Sequence, residues 1–336
     1  MIQFCRAIRL AVGVAVFSLL ACAAFGQQAP SSSSERTLLF VGDVMLSRGV
    51  GRVIKANDDW TYPFQAVAET LRAADLTFAN LECPVSDVGR DLHHKYSFRA
   101  EPRVIEGLKF AGFDVVSVAN NHMYDWGEAA LVDTVRRLRE SGIVPVGAGA
   151  NDLEAHYPRI VDLGGVKLAF LAYAAIAPKE AAAGPARPGI AWLAIDRVLA
   201  DIRFARPIAD IVIVSLHWGV EYARQPSREQ VKLAHQMIDA GTDFVVGSHP
   251  HVVQPLEQYG RGWIAYSLGN FVFDQRPGPM RRGLMLKVTL RNKRINEVTM
   301  FPTAINETYQ AELGPAGGQS ERAERSRTKP PVVRAQ

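Results

Sequence analysis

The chain has 336 residues, of which 48% are hydrophobic and 21% charged, and this globular composition excludes disorder over the whole length. The net charge is +4, but the surplus lies at the ends: residues 1–36 hold three Lys or Arg against one acid, and residues 312–336 hold five against three. The body between them has 30 basic and 30 acidic residues, so no nucleic-acid partner is expected.

The N-terminus has the pattern of an export signal. Arg6 and Arg9 precede an apolar run at 10–25, and small or polar residues follow it. We interpret residues 1–26 as a cleavable signal peptide and residues 27–36 as a flexible linker. The protein is therefore expected to work in the periplasm or outside the cell.

Two alternatives to a soluble exported product remain open. Residues 19–22, Leu-Leu-Ala-Cys, resemble the bacterial lipobox, in which Cys22 would become the lipidated first residue. The apolar run could also serve as an uncleaved anchor, although a bilayer-spanning helix needs about 20 apolar residues. Each alternative keeps the protein outside the cytoplasm.

Short apolar runs alternate with helix-like stretches along the body. Continuous hydrophobicity predicts strands covered on both faces, and apolar residues at helical spacing predict helices between them. The strands are expected at 38–41, 76–79, 115–118, 211–214, 244–246 and 263–266, and the helices at 62–73, 127–141 and 227–240. Hairpins are expected at 159–174 and at 284–301. The alternation predicts an α/β fold.

Domain boundaries follow from composition. Residues 176–191 are rich in Ala, Pro and Gly, and we interpret them as a surface loop of one domain rather than a linker between two. Residues 37–311 then form a single domain. Residues 312–336 are polar and without periodicity, which predicts a disordered tail.

Five predicted strands are each followed by residues that can bind a metal or move a proton. In open α/β sheets the strand ends are where sites are built, so residues far apart in sequence can converge there. They are Asp43; Asn80 and Glu82; Asn120, Asn121, His122 and Asp125; His217 and Glu221; and Ser248, His249 and His251.

The histidines favour a transition-metal site. His249-Pro250-His251 presents two imidazoles from one turn that proline stiffens, which suits one ion or two adjacent ions. Imidazole, carboxylate and amide donors together favour Zn, Mn or Fe over calcium. The alternative for any single histidine is an ordinary core or surface residue.

Six motifs in order resemble the CapA family of poly-γ-glutamate capsule synthesis, whose fold is similar to that of calcineurin-like metallophosphatases. The resemblance covers about 37–302. It rests on Gly42-Asp43-Val44-Met45-Leu46 with Arg48, Asn80-Leu81-Glu82, Asn120-Asn121-His122 with Asp125, His217-Trp218-Gly219 with Glu221, Gly247 with His249-Pro250-His251, and Tyr266–Phe271.

The resemblance implies a four-layer α/β/β/α sandwich of two mixed sheets between helices, with one or two divalent ions at one edge. The implied metal ligands are Asp43, Glu82, Asn121, His217, His249 and His251, with Glu82 bridging two ions. His122 corresponds to a residue that donates a proton to the leaving oxygen, and Asp125 would orient it. Two ions sharing a carboxylate would neutralise charge in the transition state.

Two departures from the metallophosphatase pattern matter. Those enzymes usually begin Asp-x-His, whereas this chain has Asp43-Val44-Met45, so a nitrogen ligand is replaced by a thioether or, in the interpretation we favour, by a core side chain. Their bridging residue is usually Asp, and here the longer Glu82 takes its place. A one-metal site or a purely binding site is therefore an alternative.

The resemblance also suggests residues around the metal centre. Arg48 and Lys95 are candidates to contact an anionic substrate, with a solvated charge as the alternative for each. Asn270 lies near the implied centre and is a third candidate to bind substrate, with structural capping as an equal alternative. The Glu221 carboxylate could orient the ligand His217 without binding the metal itself.

Three functions fit these observations. The first is an exported metal-dependent hydrolase acting on poly-γ-glutamate or another anionic envelope polymer. The second is a general extracytoplasmic phosphoesterase. The third is a non-catalytic, polyanion-binding subunit that joins membrane-bound synthesis or export subunits, and the replacement of histidine by Met45 is its best support.

Overall fold

The computed structural model describes residues 35–314 and the pair 321–322. The strands are β1 Arg36–Val44, β2 Leu76–Leu81, β3 Val115–Ser117, β4 Val144–Val146, β5 Ala148–Gly149, β6 Arg159–Asp162, β7 Lys167–Ala174, β8 Gly189–Ile190, β9 Ile211–His217, β10 Phe244–Ser248, β11 Leu256–Tyr259, β12 Gly262–Ala265, β13 Asn270–Val272, β14 Arg282–Arg291, β15 Arg294–Ile305, β16 Ala311–Leu313 and β17 Glu321–Arg322.

The helices connect the strands on the outside of the sheets. They are α1 Arg48–Asn57, α2 Ala68–Arg72, α3 Val104–Ala111, α4 Gly127–Glu140, α5 Asp152–His156, α6 Ile195–Ala205 and α7 Arg228–Ala240, with 3-10 turns at Tyr62–Phe64, Lys179–Ala181, Arg206–Ile208 and Pro279–Arg281. In α7 the Ser227 side chain accepts from Gln230 N while the Gln230 side chain reaches back to Ser227 N, a capping box that fixes where the helix begins.

Two mixed sheets contain most of the strands. The first has the order β16-β15-β14-β1-β2-β3-β4, with β13 also paired to β1 and β17 to β15. Its strands β1 to β4 are parallel, whereas β14, β15 and β16 join as antiparallel neighbours. The second has the order β11-β12-β10-β9-β7-β6, with a parallel centre and antiparallel edges at β6 and β11. Strands β5 and β8 form a separate short pair.

Aromatic side chains pack the two sheets face to face. The Phe40 ring of β1 lies 4.7 Å from Phe244 of β10, and the Phe78 ring of β2 lies 5.9 Å from Phe170 of β7, measured between centroids. The other face of the second sheet buries its residues with those of α6 and α7. The first sheet shares its apolar cluster with α1, α3 and α4. The four-layer α/β/β/α prediction is therefore confirmed.

The hairpins and the helices at 127–141 and 227–240 lie where the sequence indicates, but the helix expected at 62–73 is divided. Pro63 lies in the 3-10 turn Tyr62–Phe64, and the α-helix begins only at Ala68. Proline has no N–H to donate and restricts the preceding residue, so a continuous helix is not favoured there. Helices α1, α3, α5 and α6 were not predicted.

The C-terminal end of the sheet also differs from the sequence interpretation. Strand β16 continues through Leu313, and β17 pairs with β15 at Thr299 and Met300, so two short parts of the expected tail 312–336 are sheet. The predicted signal peptide, most of the linker and Cys22 lie outside the described residues. Within the described part of the chain, no helix has the length and apolar character needed to cross a bilayer.

Candidate metal centre

The first sheet places Asp43 between two asparagines. Asp43 lies in register with Asn80 of β2 on one side and with Asn270 of β13 on the other, and both pairings are parallel. The Asn80 amide donates to Asp43 Oδ1 at 2.9 Å and to Glu82 Oε2 at 3.2 Å. Asp43 Oδ2 accepts from His249 N at 3.3 Å, whereas Glu82 Oε1 has no hydrogen-bond partner among the described residues.

The second sheet supplies those histidines at the ends of two parallel strands. His217 of β9 pairs in register with Ser248 of β10, and His249 and His251 follow directly. The backbone φ is 95° at His249 and 56° at His251. Such left-handed conformations are uncommon for residues other than glycine, and they recur at functional sites.

Two groups of ligand atoms result, and they share Glu82. One contains Glu82, His217 and His249, and the other contains Asp43, Glu82 and His251, with one atom from each residue within 4.8 Å of the others. His251 Nε2 is 3.6 Å and His217 Nε2 is 4.0 Å from the same oxygen, Glu82 Oε1. All five residues are buried. Each group has the residue types that can hold a divalent cation, and the two groups share one carboxylate.

The donor set fits a divalent cation because two of its buried atoms are otherwise unsatisfied. Within residues 35–314, Glu82 Oε1 and His249 Nδ1 have no hydrogen-bond partner. Buried polar atoms without partners are rare because each costs about 1–3 kcal/mol. A cation between the imidazoles and carboxylates would satisfy both atoms.

The pKa shifts of the buried carboxylate and imidazoles also fit a metal site. Burial, with the neighbouring Asp43 carboxylate as the next cause, raises the pKa of Glu82 well above its usual value. Burial and the adjacent imidazoles of His249 and His251 lower the pKa of His217 well below its usual value. Burial, followed by His251, lowers the pKa of His249 to about 4. The imidazoles of His217 and His249 are therefore neutral at pH 7, as metal ligation requires.

His217 and Asn121 approach each other closely at the ligand groups. Ser248 Oγ lies 3.0 Å from His217 Nδ1 and 3.3 Å from Leu216 O. His217 Nε2 lies 2.8 Å from Asn121 Oδ1, and a proton on Nε2 makes this contact a hydrogen bond. A cation that both atoms contact would replace that proton.

Asn270 fixes His251 rather than lining open space. Its amide nitrogen donates to Met280 O at 2.8 Å, so its Oδ1 accepts from His251 Nδ1 at 2.9 Å. The Nε2 lone pair of His251 then faces Glu82. A hydrogen bond to the nitrogen that does not bind the metal fixes the tautomer and orientation of a ligating imidazole.

Met45 takes no place among the ligands. It is fully buried, and its sulfur accepts from Ser47 N and Ser47 Oγ, both at 3.1 Å. This is the core role that the sequence favoured for it. The group formed by Asp43, Glu82 and His251 therefore has one protein ligand fewer than the Asp-x-His pattern would supply.

His122 and Asp125 lie beside the ligand groups. His122 Nδ1 is 2.8 Å from Asp125 Oδ2, and Phe98 N donates to the same oxygen at 2.8 Å. The Phe98 ring stacks on the His122 imidazole with centroids 3.8 Å apart. The hydrogen bond thus holds one edge of the imidazole, and the stack on Phe98 holds one face. Neither contact uses Nε2, the other ring nitrogen.

A cavity of about 730 Å³ opens over His122 and His251. Arg48 enters it with its guanidinium 5.0 Å from the Phe98 centroid, and Asp274 binds that guanidinium at 3.1 Å and 3.2 Å. Arg224 and Arg276 also line the cavity, together with aromatic residues. Three guanidinium groups beside the candidate centre suit an anionic ligand.

Two predicted residues have other surroundings. Glu221 is exposed and lines the cavity, whereas the hydrogen bond that orients His217 comes from Ser248. Lys95 is exposed, with its ammonium 5.2 Å from the ring of Tyr96, and Tyr96 lines the cavity. Sequence reasoning gave no specific role to Asn80 or Ser248, although both lie in the strand-end motifs.

The pKa directions predict that cation binding strengthens as pH rises from 5 to 7.5. Binding requires the Glu82 carboxylate, whose raised pKa favours the neutral acid, so a proton must leave when a cation enters. We expect affinity for Mn²⁺ or Zn²⁺ to rise by up to about tenfold per pH unit while one proton is released. Calorimetry in buffers of different ionisation enthalpy measures that proton, and an affinity independent of pH would contradict the prediction.

Comparisons with known proteins agree with the motifs. Residues 37–275 match the family model described as bacterial capsule synthesis protein PGA_cap, a range that contains all six candidate metal ligands. The chain is 34% identical over 279 residues to the capsule biosynthesis protein CapA of Bacillus anthracis, covering 81% of this chain and 68% of that one. It is 33% identical over 282 residues to the PGA biosynthesis protein CapA of Bacillus subtilis, covering 81% and 72%.

Solved structures are more distant in sequence. A hypothetical protein from Thermus thermophilus aligns with a TM-score of 0.47 at 19% identity, covering 79% of this chain and 98% of that one. The NAD nucleotidase of Haemophilus influenzae aligns with a TM-score of 0.44 at 12% identity, covering 84% and 60%. The family match and the two CapA relatives therefore supply the stronger comparison.

Proposed function

The chain belongs to the bacterial capsule synthesis protein family, and we propose that it is an exported, metal-dependent hydrolase acting on an anionic polymer of the cell envelope. The observation that carries the proposal is the pair of buried ligand groups sharing Glu82. The names of the Bacillus relatives, in capsule and PGA biosynthesis, supply the polymer class. Poly-γ-glutamate is the first member to test.

The two ligand groups support a proposal for where cations would bind. Asp43, Glu82 and His251 would hold one ion, and Glu82, His217 and His249, with the Asn121 amide, would hold a second. Mn, Zn and Fe fit this donor set best. Bound there, such ions supply the positive charge that stabilises the oxygens of a carbonyl or phosphoryl group during cleavage.

His122 would act as the general acid. Asp125 accepts its Nδ1 proton, so Nε2 is the nitrogen able to carry a proton to the leaving group. The stacking of Phe98 on the imidazole limits rotation of the ring. A positioned acid of this kind contributes about 10²–10⁴-fold to the rate of cleavage.

Arg48 would bind an acidic group of the polymer. Asp274 and the stack on Phe98 hold its guanidinium in one orientation, so little side-chain freedom is lost on binding. Arg224 and Arg276 add positive charge to the same cavity. Lys95 is exposed, and its ammonium lies 5.2 Å from the ring of Tyr96, which lines the same cavity.

The test uses protein loaded with Mn²⁺ or Zn²⁺ and two kinds of substrate. Poly-γ-glutamate is followed by its chain length, and a panel of phosphomonoesters and phosphodiesters by product release. We expect turnover that His122→Ala lowers by about 10²–10⁴-fold without changing metal content. The exposed His93 gives the matched control, because His93→Ala should leave both unchanged. Bound metal without turnover on any substrate would contradict the proposal.

Two other outcomes select the alternatives. The pairing of His122 with Asp125 also suits a general phosphoesterase, for which the phosphoester panel responds and the polymer does not. The absence of a histidine ligand at Met45 suits a non-catalytic subunit that binds polyanions and joins membrane-bound synthesis or export subunits. In that case polymer binding is retained in His122→Ala and no substrate is turned over.

A further inference from the structure

We propose that His94 is a positioning residue that holds the Asp125 carboxylate and, through it, the general acid His122. The inference rests on the proposed function, because it concerns the same proton donor. His94 lies outside all the strand-end motifs and was not among the residues singled out from the sequence. In the structure its Nδ1 lies 3.1 Å from Asp125 Oδ1.

The Asp125 carboxylate is buried, with its side chain 1% exposed, and both of its oxygens are used. Oδ2 accepts from Phe98 N and from His122 Nδ1, each at 2.8 Å, and Oδ1 faces His94. The torsion that turns a carboxylate is soft and roughly two-fold. Donors on both oxygens therefore fix its plane, whereas donors on Oδ2 alone would let it rotate.

The loop that carries His94 is itself anchored. Asp91 Oδ1 accepts from His93 N at 2.8 Å and from Ser97 Oγ at 2.7 Å, which closes residues 91–97 on themselves. Leu92 N donates to the backbone oxygen of Asp125 at 3.0 Å. His94 thus meets Asp125 from a loop already tied to it, and the contact does not depend on a free side chain folding back.

The neighbouring His93 differs in the feature that matters. The His94 side chain is 31% exposed and lies against a buried carboxylate, whereas the His93 side chain is 83% exposed and lies 3.9 Å from Asp91. Substitution of His93 or of His94 removes one imidazole from the same loop. Only substitution of His94 removes a donor to Asp125, so His93 provides the matched control.

The kinetic test exploits the fact that a good leaving group needs no acid. In full-length, metal-loaded protein we expect His94→Phe to lower kcat about 10–100-fold for an alkyl phosphoester and less than about threefold for a nitrophenyl ester, with KM unchanged. His94→Asn, which can still donate to Oδ1, should restore most of the rate. Equal loss on both esters, or loss in His93→Phe, would overturn the proposal.

A second readout does not need activity. In metal-free protein labelled with ¹⁵N-histidine, the Nδ1 proton of His122 bonded to Asp125 is expected as a downfield resonance, assigned by its loss in His122→Asn. His94→Phe should shift or broaden it, and His93→Phe should not. An unchanged resonance in His94→Phe would overturn the proposal. A changed resonance in a protein that turns over no substrate would support His94 and count against the hydrolase alone.

Discussion

Glu82→Gln is expected to remove cation binding at both positions and to abolish activity, while the metal-free protein remains at least as stable as the wild type. Glu82 is the residue shared by both ligand groups, and glutamine keeps its size but lacks the charge. Loss of a residue that hydrogen-bonds to a metal ligand lowers metal affinity about 10–100-fold. Loss of the shared carboxylate itself should therefore lower metal affinity by more than about 100-fold.

The stability half of this prediction follows from the sign of the pKa shift. The pKa of Glu82 in the folded chain is raised above its usual value, so its contribution to stability is present below about pH 4.5 and is lost as the pH rises through the folded pKa. At pH 7.5 the buried carboxylate therefore opposes folding when no cation is present. Glutamine removes that penalty, and the gain over wild type should shrink as the pH approaches 5.

Glu221→Gln is the matched control, because it makes the same chemical change at an exposed carboxylate in the neighbouring cavity. The Glu221→Gln protein should bind as much metal as the wild type and have the same free energy of unfolding. Metal content after dialysis and urea unfolding at pH 5 and pH 7.5 measure both effects. A Glu82→Gln protein that retains stoichiometric metal would show that the shared carboxylate is not a ligand.

The sequence predicted the ligand-bearing loops because each follows a short apolar strand. Asp43, Glu82 and His217 lie directly at or after strand ends, and parallel strands bring such ends to one edge. Helix α1 was missed because residues 48–57 contain two glycines and three charged residues, so local propensity gives little signal. Burial of Val50 and Ile54 accompanies the helix in the folded chain.

The residues that orient the site side chains could not be predicted from the sequence, because their contacts join segments far apart in the chain. His94 and Asp125 are 31 residues apart, and Arg48 and Asp274 are 226 apart, with no spacing that marks either pair. Ser248 lay inside a recognised motif, yet its hydrogen bond to His217 requires the register of β9 and β10. Ligand types can be predicted from local sequence, whereas the groups that orient them require the fold.

Gly247→Ala is expected to destabilise the protein by about 3 kcal/mol or more and to disrupt the metal centre with it. A Cβ at Gly247 would lie 1.9 Å from Tyr266 O and 2.7 Å from Trp218 Nε1. Neither atom is the end of a flexible chain, since one is backbone and the buried Trp218 indole donates to that same oxygen at 3.0 Å. The end of β10 and the segment at Tyr266 would therefore have to separate.

That separation would displace the ligands as well as the core. Ser248, which orients His217, follows Gly247 directly, and His249 comes next on the strained turn. Gly184→Ala is the matched control, because a Cβ there would lie 3.5 Å from Arg187 Cβ, an ordinary contact, and its stability should change by less than about 0.5 kcal/mol. Urea unfolding of the metal-free proteins and metal content of the loaded ones measure the two effects. The close approach of Tyr266 O requires glycine at position 247. A Gly247→Ala protein as stable as the wild type would contradict that approach. It would also contradict the placement of His249, two residues further along the chain.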